Sequence, residues 1–513
     1  MSLATPSAYS EGMDRLPVGE VLAQVLDPGS WRPWDPPAAE GKTDPDYAAE
    51  LEQAAATASS DEAIITGSGR VLDLPVAVIA ADFDFLAGSV GRVAAARIAS
   101  ATDRATALGL PLLALPTSGG TRMQEGTPAF LLMAGIAAAV RRHTDTGLPY
   151  LVYLRHPTTG GVLATWGSLG DLTFAQPGAL VGFLGPRVYQ GLYGEPFPEG
   201  VQTAAGLTAA GVIDGVADPE QWRDHVADLL RAYRARPADA VESLSWEPAG
   251  ADGGDRTRNR PAPVQRPADG WSAVSATRAS QRPGLAELVS EITGFVPLSG
   301  TQAGETAAAT IAGVGRLQDL GVVVVGFDRA AQADGQLVGP ADLRVARRAM
   351  SLAQRWQLPL ITVVDTQGGE LSAAAERGAL AGEIARCLAD LSALRTPVLS
   401  VLLGGGGGGA ALALVPGDFV LAAADAWITP LPPEGASLIR HRTTDRADEM
   451  ANAQRITAAD LHRVGAVDRI VAPPQEDVAA FVDEVAAALA AVVTQPLDLG
   501  ARAAKWSAGD HWR

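Results

Sequence analysis

Short apolar runs and helical apolar spacing alternate along the chain, and this alternation predicts an α/β fold. In the first half, residues 148–155 form a strand-like apolar run that leads through Pro-Thr-Thr-Gly-Gly into a helix opening in small residues. Apolar positions recur at helical spacing over 90–108 and 124–144, with a short apolar run between them at 112–116. Such strand–turn–helix units are typical of parallel sheets, whose chemistry lies at the strand ends.

The Gly-Gly turn occurs twice, because the two halves of the chain share landmarks at a constant offset of 248 residues. The second half carries a strand-like run at 397–403 that enters a six-glycine turn at 404–409. Solenoid repeats have periods of roughly 20–50 residues, so the longer period here predicts two similar domains. The matched positions are Gly120 with Gly368, Gly160 with Gly408, Gly161 with Gly409 and, after a one-residue deletion, Asp171 with Asp418.

Shifts in composition divide the chain into four parts. Residues 1–58 are rich in Pro and Asp and are predicted to be an irregular lead-in to an N-terminal domain at 59–234. Pro, Gly, Asp and Arg dominate 235–282 and the apolar periodicity is lost, which predicts an inter-domain linker. The C-terminal domain is predicted at 283–513.

Charge and cysteine content narrow the class of protein. A net charge of −18 over 513 residues argues against nucleic acid or an anionic membrane as a general partner. The sequence shows no secretory signal and no apolar run of about 18 residues, which predicts a cytoplasmic protein. The single cysteine, Cys387, excludes an intrachain disulfide and any multi-cysteine zinc site.

Backbone groups, rather than reactive side chains, are the main candidates for chemistry. The sequence has no Gly-x-Ser-x-Gly elbow, Walker loop or spaced histidine pair. Paired glycines between a strand and a helix leave backbone N–H groups uncovered by a Cβ, where an anion can bind. His156 is the histidine beside the first turn, while Arg122 and Glu125 are predicted to stabilise a neighbouring turn and helix start.

Several motifs carry a resemblance to bacterial acetyl-CoA carboxylase. The first half resembles the carboxyltransferase β subunit through AIITGSGRVLDLPVAVIAADFDFLAGSVG, SGGTRMQEG and GLPYLVYLRHPTTGGVLATWGSLGD. The second half resembles the α subunit through VGPADLRVARRAMSLAQRWQLPLITVVDT, TPVLSVLLGGGGGGAALAL and GDFVLAAADAWITPLPPEGASLI. The resemblance implies a fused β/α carboxyltransferase of the acyl-CoA carboxyltransferase family. It also implies an α/β fold of two tandem crotonase-like domains, of the ClpP/crotonase superfamily, built from repeated ββα units.

The family transfers a carboxyl group from carboxybiotin on a carrier protein to acetyl-CoA, giving malonyl-CoA for fatty acid biosynthesis. Negative charge develops on the thioester oxygen and on the biotin ureido oxygen, so two oxyanion holes are required. The resemblance places Gly160 and Gly161 in the acyl-CoA hole, and Gly409 and Ala410 in the biotin hole. The further candidates for cofactor or substrate contact are Gly368, Gly369, Gly408, Arg187 and Glu434.

Differences from the family pattern bear on the expected partner chains and leave two alternative functions open. The zinc ribbon of the β subunit and the Ala-Met-Lys-Met biotinylation sequence are both absent from the chain. The resemblance therefore implies no zinc, a homo-oligomer, and a biotin carboxyl carrier protein and biotin carboxylase on separate chains. The loop at 365–370 lacks the family's prolines, which keeps two alternatives open. One is a biotin-independent decarboxylase of malonyl or methylmalonyl thioesters, and the other is a non-catalytic assembly subunit.

Overall fold

The protein forms two compact units, residues 1–230 and 231–513, in a computed structural model. The structure describes residues 15–37, 45–58, 60–183, 190, 194–237 and 267–506, apart from the side chains of 127, 128 and 130. No helix in these ranges combines the length and the hydrophobicity needed to cross a membrane.

The first unit is built on a seven-stranded sheet with the order β1-β2-β3-β4-β5-β7-β9. The first three strands pair antiparallel and the others pair parallel, as the β/α pattern of the sequence predicts. A second, two-stranded sheet pairs β6 with β8 in parallel. The strands are β1 Arg32–Pro33, β2 Ile64–Val71, β3 Leu74–Ala81, β4 Leu112–Leu115, β5 Tyr150–Leu154, β6 Thr158–Thr159, β7 Leu172–Ala175, β8 Val181–Gly182 and β9 Gly215–Val216.

The helices of the first unit cover this sheet. α3 packs on β2 and β3 and also on α4, and it buries Ala94, Ile98, Ala101 and Ala105 at helical spacing. On α7, the ring of Trp222 stacks on Tyr153 of β5 with centroids 5.5 Å apart. The helices are α1 Val18–Val25, α2 Pro45–Thr57, α3 Arg92–Ala107, α4 Gly126–Asp145, α5 Gly160–Leu163, α6 Ala204–Ala209 and α7 Pro219–Arg234.

The prediction of an irregular lead-in over 1–58 is wrong for α1 and α2. Val18, Val21, Leu22 and Val25 form one apolar face of α1, but the face is only two turns long and adjoins Pro-rich sequence. The guanidinium of Arg155 also holds this segment, since its Nη2 donates to the carbonyl of residue 16 at 2.7 Å. Packing against the rest of the unit therefore decides a structure that local composition obscures.

The second unit repeats the architecture in an eight-stranded sheet. Its main path is β10-β11-β12-β13-β14-β15-β17, and β16 pairs with the end of β14. β10, β11 and β12 pair antiparallel, and the remaining pairs are parallel. The strands are β10 Thr293–Pro297, β11 Thr310–Leu317, β12 Leu320–Phe327, β13 Leu360–Thr366, β14 Val398–Gly407, β15 Phe419–Ala423, β16 Trp427–Thr429 and β17 Arg469–Val471.

Helices cover the second sheet in a similar way. α11 packs on β11 and β12, and α18 packs on β14 and β15. The helices are α8 Gly270–Thr277, α9 Leu285–Ser290, α10 Arg329–Ala333, α11 Pro340–Trp356, α12 Ala373–Arg377, α13 Leu380–Ala393, α14 Gly408–Leu412, α15 Pro433–His441, α16 Ala447–Ala453, α17 Ala458–Arg463, α18 Val478–Val493 and α19 Leu499–Lys505.

Two predictions for this half differ from the structure. The predicted linker over 235–282 includes α8, whose Ala273 and Val274 are buried with Trp427 and whose N-cap Asp269 accepts the N–H of Ser272 at 2.8 Å. The helix is too short for its apolar pattern to stand out beside Pro-rich sequence, and residues 238–266 lie outside the described part. The turn predicted at 404–409 is shorter than expected, because residues 404–407 continue strand β14.

Equivalent hydrogen bonds occur at matching positions of the sequence repeat. In the first unit the carboxylate of Asp171 accepts the N–H of Tyr150 at 3.0 Å, at the start of β5. In the second unit Asp418 accepts the N–H of Val398 at 2.8 Å, at the start of β14. The predicted pair of similar α/β domains is confirmed.

The buried Cys387 should act as an unfolding reporter for the second unit. Its Sγ lies 3.4 Å from the carbonyl of Leu343, and burial raises the pKa of the thiol to about 12. Because the thiolate is the reactive form, we expect no reaction with a disulfide reagent at pH 8 in the native protein. One thiol per chain should react in concentrated guanidinium. Labelling of the native protein at the rate of free cysteine would contradict the buried position.

Candidate functional site

The first candidate site is the turn Thr159-Gly160-Gly161, which we call the first turn. Gly160 has φ +64°, a left-handed conformation that favours glycine, and it begins the short helix α5. A Cβ on Gly160 would lie 3.2 Å from the Cα of Gly120. Backbone therefore packs on backbone here, and the turn needs glycine for both its conformation and its space.

Residues 118–121 form the first loop, which faces the first turn. Gly120 has φ +114°, and its N–H donates to the hydroxyl of Ser118 at 2.9 Å. The carbonyl of Ser118 accepts the N–H of Thr159 at 2.9 Å, which joins the loop to the turn. A Cβ on Gly161 would meet the hydroxyl of Thr121 at 3.1 Å. The loop thus fixes the position of both glycines of the turn.

The two N–H groups of the first turn have different surroundings. The N–H of Gly160 donates to the carbonyl of Phe183 at 2.9 Å, so it is already used within the fold. The N–H of Gly161 has no acceptor among the residues that the structure describes. Gly161 is therefore the donor of this pair that an anionic ligand could use, while Gly160 shapes the turn.

A buried ion pair supports the first loop from below. Arg122 follows the loop, and its guanidinium pairs with the carboxylate of Glu62, both side chains being at most 3% exposed. Tyr47 donates its hydroxyl hydrogen to Glu125 at 2.8 Å and accepts a hydrogen bond from Arg122. Burial raises the pKa of Tyr47 to about 12. Arg122 and Glu125 occupy the supporting position that the sequence predicts, whereas Glu62 and Tyr47 were not anticipated.

His156 also holds the fold in place. Its Nδ1 accepts the N–H of Leu180 at 3.1 Å, which requires an unprotonated Nδ1. Burial lowers the pKa of the imidazole, with a further contribution from the charge of Arg15, so the neutral form is favoured. The ring therefore joins the end of β5 to the segment before β8.

The second candidate site, which we call the second turn, is Gly407-Gly408-Gly409 with the following Ala410. Gly408 has φ +69° and begins α14, as Gly160 begins α5. The N–H of Gly368 donates to the hydroxyl of Thr366 at 3.1 Å, matching the bond between Gly120 and Ser118. Residues 366–369 form the second loop, the counterpart of the first loop.

The repeat sets the register of the candidate donors. Gly408 corresponds in conformation to Gly160, so Gly409 corresponds to Gly161. The N–H groups of Gly409 and Ala410 have no acceptor among the described residues. The pair predicted for the first turn, Gly160 and Gly161, starts at the left-handed glycine, whereas the pair predicted for the second turn, Gly409 and Ala410, starts one residue after it. Gly161 and Gly409 are therefore the equivalent candidate donors.

Close packing, rather than flexibility, explains the glycines at the end of β14. A Cβ on Gly404 would lie 2.2 Å from Oδ1 of Asp365, and one on Gly407 would lie 2.2 Å from the carbonyl oxygen of Gln367. A Cβ on Gly405 would lie 3.0 Å from the ring of Trp427. All of these glycines are buried in the strand. The run brings the strand close to its neighbours just before the second turn.

Of the remaining residues predicted to contact cofactor or substrate, two lie in the second loop and the others do not. Gly368, with φ +139°, and Gly369 form the second loop, and a Cβ on Gly369 would lie 3.5 Å from the Cβ of Ala410. Glu434 lies in the first turn of α15 and forms a two-pronged ion pair with Arg278, at 2.7 and 3.1 Å. Arg187 lies outside the described residues. Within the described ranges, no three His, Cys, Asp or Glu side chains are grouped as metal ligands would be.

Two crotonase-like units, each with a glycine turn at the end of a parallel strand, define the structural class of this chain. The carboxyl transferase domain matches residues 15–499, and the chain belongs to this family of enzymes. It is therefore a carboxyltransferase. The predicted resemblance to fused β/α subunits is confirmed, as are biotin and acyl-CoA as the cofactor and substrate class of the family.

Named relatives cover nearly the whole chain. It is 51% identical over 460 residues to a probable biotin-dependent acyl-coenzyme A carboxylase beta3 subunit of Mycobacterium tuberculosis, covering 90% of each chain. It is 36% identical to acetyl-coenzyme A carboxylase carboxyl transferase subunits beta/alpha of Saccharopolyspora erythraea, covering 94% of this chain and 86% of the relative. The crystal structure of transcarboxylase 12S shares the fold, with a TM-score of 0.73, 20% identity and coverage of 94% and 91%.

Removing one member of the buried ion pair should destabilise the first unit strongly. Arg122→Met leaves the Glu62 carboxylate buried without its partner, and we expect a loss of about 3–5 kcal/mol in the free energy of unfolding. The double variant Glu62→Leu, Arg122→Met should lose less than the sum of the two single variants, because the unpaired charge is gone. Urea unfolding followed by tryptophan fluorescence measures each difference.

A surface ion pair provides the control for this measurement. Arg141 and Asp145 lie 2.7 Å apart on α4 with side chains 76% and 52% exposed. Arg141→Met should change the free energy of unfolding by less than about 1 kcal/mol. An equal cost for the two arginine variants would show that the buried pair does not support the fold.

Proposed function

We propose that this chain is the carboxyltransferase component of an acyl-CoA carboxylase. It transfers a carboxyl group from carboxybiotin on a separate carrier protein to an acyl-CoA, and acetyl-CoA, giving malonyl-CoA, is the simplest substrate. The observation that carries the proposal is the repeated glycine turn, in which Gly161 and Gly409 hold equivalent N–H donors without an acceptor among the described residues. A reaction that builds negative charge on two different oxygens needs two such donors.

The two turns take separate roles in this proposal. We assign the acyl-CoA side to the N-terminal domain at 59–234, where Gly161 donates to the thioester oxygen as the α-carbon becomes nucleophilic. We assign the biotin side to the C-terminal domain at 283–513, where Gly409 and Ala410 donate to the ureido oxygen. Biotin supplies the activated carboxyl group and, once decarboxylated, a basic nitrogen that can accept the α-proton. No side-chain base is then required at either turn.

The chemistry of the second turn fits a flat, uncharged bicyclic group such as biotin. Ile384 of α13 lies beside Gly409, where an added Cβ would meet its Cδ1 at 3.0 Å. A Cβ on Gly369 would lie 3.1 Å from Leu380 and 3.5 Å from the buried methyl group of Ala410, so apolar side chains pack beside the second loop. Glu434 is paired with Arg278, so its carboxylate has a local partner.

The partners in this proposal follow from family membership. We place a biotin carboxyl carrier protein and a biotin carboxylase on separate chains, and we place the enzyme in the cytoplasm as a homo-oligomer. Transcarboxylase 12S, a protein of known structure that shares the fold, is described as a hexamer, which supports an oligomer here. Malonyl-CoA made in this way would serve fatty acid biosynthesis.

The first test is consumption of malonyl-CoA by the purified chain, with and without free biotin, followed by mass analysis of the products. Biotin-dependent loss of malonyl-CoA with formation of acetyl-CoA and carboxybiotin would establish the reverse transfer. Loss to acetyl-CoA and carbon dioxide without biotin would identify the decarboxylase instead. Binding of CoA esters without turnover of malonyl-CoA or methylmalonyl-CoA would favour the assembly subunit.

Alanine in either turn should impair the transfer reaction. Gly160→Ala and Gly408→Ala force a Cβ into the left-handed region, which costs roughly 1–2 kcal/mol, and both displace the neighbouring N–H donor. Since one oxyanion donor contributes 10²–10³-fold to kcat in other enzymes, roughly a hundredfold loss is expected in each variant. Gly160→Ala should be the less stable variant, because its Cβ would meet the Cα of Gly120 at 3.2 Å.

Gly109→Ala is the matched control for these variants. Gly109 has φ +65° after α3, and no atom lies within 4 Å of its added Cβ. It therefore introduces the same backbone strain without touching either turn. Its melting temperature should fall while its kcat stays at the wild-type value. Equal losses of kcat in all three variants would mean that strain alone, and not the turn, controls the rate.

A further inference from the structure

Asp365 lies directly beneath the strand that leads into the second turn. It belongs to β13, and its Oδ1 accepts the N–H of Gly405 at 3.1 Å. A Cβ on Gly404 would lie 2.2 Å from the same oxygen, so the carboxylate occupies the space beside two bare residues of β14. The backbone of Asp365 is fixed in turn, because Gln332 of α10 donates to its carbonyl oxygen at 3.0 Å.

The second oxygen of this carboxylate is buried and unmatched. Oδ2 of Asp365 has no hydrogen-bond partner among the described residues, although the residue is only 5% exposed. Three charged groups act on the carboxylate electrostatically: Arg329 of α10, Arg282 before α9 and Asp425 after β15. Arg282 pairs with Asp425 and also donates to the carbonyl of Leu403, the residue just before the glycine run.

The first unit has no counterpart to this group. The repeat places Thr117 at the position of Asp365, and the Thr117 hydroxyl donates to backbone carbonyls at 3.0 and 3.1 Å. A charged group that a neutral hydroxyl replaces in the other copy is not required by the shared fold. Its consequence must therefore be specific to the second turn.

We propose that Asp365 is a positioning residue whose buried carboxylate fixes the glycine run 404–407 and thereby aligns the N–H donors of the second turn. The hydrogen bond from Gly405 is charge-assisted when the carboxylate is ionised, and it weakens when the carboxylate gains a proton. Burial raises the pKa of Asp365 to about 6, against opposing contributions from Arg329 and Arg282, with a smaller upward contribution from Asp425. Local loosening of the second turn that leaves this carboxylate buried should consequently be easier in mild acid.

Hydrogen exchange measured by mass spectrometry tests the positioning directly and without any substrate. In the wild-type protein, peptides containing residues 404–410 should be better protected at pH 8 than at pH 5, after correction for intrinsic rates. In Asp365→Asn, which keeps the shape and the acceptor oxygen, protection should be the same at both pH values. Peptides containing residues 156–162 should be unaffected by Asp365→Asn at either pH. Identical pH dependence of the 404–410 peptides in wild type and Asp365→Asn would overturn the proposal.

Stability gives a second readout with a defined sign. Global unfolding hydrates the carboxylate, whereas local loosening of the turn leaves it buried. The folded chain therefore binds the Asp365 proton more tightly than the unfolded chain, so ionisation of this group opposes folding at high pH. Asp365→Asn should therefore raise the melting temperature at pH 8, and the gain should shrink as the pH falls towards 4. Gly404→Ala, which pushes on the same oxygen while keeping the carboxylate, should lower protection of the 404–410 peptides at pH 8.

Kinetics connect the inference to the reaction, and only this readout rests on the proposed function. With free biotin as acceptor, kcat of the wild type should be roughly tenfold lower at pH 5 than at pH 8, since only about a tenth of Asp365 is then ionised. The KM for acyl-CoA should not change, and Asp365→Asn should remove this pH dependence.

Asp342→Asn is the control for a buried carboxyl group away from the second turn. Asp342 also has a raised pKa through burial, but it accepts the N–H groups of Gly339 and Ala309 at the start of α11. Its substitution should leave the exchange pattern of 404–410 unchanged. If the wild type shows no biotin-dependent turnover at any pH, the proposed function fails, and the exchange experiment still decides the role of Asp365.

Discussion

The close approach of backbone to backbone at the two glycine turns is the constraint on which both sites depend. In the first unit a Cβ on Gly160 would come within 3.2 Å of the Cα of Gly120, and both glycines have positive φ. In the second unit a Cβ on Gly407, the residue before the left-handed Gly408, would lie 2.2 Å from the carbonyl oxygen of Gln367. The absence of side chains leaves N–H groups at the surface of each turn, and a rigid contact holds them there.

Different polar groups support the two turns, although the turns themselves share one geometry. The buried ion pair of Arg122 with Glu62 supports the first loop, and each of the two charges has the other as its partner. Beneath the second turn, the pair of Arg282 with Asp425 is joined by Asp365, one of whose oxygens has no partner among the described residues. A complete ion pair gives a support that is insensitive to mild acid, whereas an incompletely bonded carboxyl can respond to it.

The sequence allowed good prediction of those features that are local and repeated. The two sheets, their parallel order and the glycine turns could all be predicted, because apolar runs and paired glycines lie close together in the chain and occur twice. The helices α1 and α8 were missed since each is short and flanked by Pro-rich sequence. The constant offset of 248 residues already paired Gly408 with Gly160 and Gly409 with Gly161, so the register of the second turn could be predicted, and the assignment of its N–H donors stays a prediction.

Contacts between distant residues set the rest of the site, and no local pattern reveals them. Glu62 and Tyr47 reach Arg122 across 60 and 75 residues of chain. Asp365 was visible as a polar residue at the end of a buried strand, but its place under Gly404 depends on the register between β13 and β14. A polar residue after an apolar run in a parallel sheet is the signal that could have marked it.

The limited space around the strand end explains why one copy of the repeat has glycines where the other has larger residues. The positions equivalent to 404–407 in the first unit are His156, a proline and two threonines, so the strand end itself fills the space. In the second unit the strand end is bare, and Asp365 and Trp427 fill that space from neighbouring strands and loops. Interiors pack too densely to accept both, so a side chain at Gly404 requires a smaller residue at position 365. The volume of residue 365 and the glycine at position 404 are therefore coupled, whereas the charge of residue 365 can change without a steric cost.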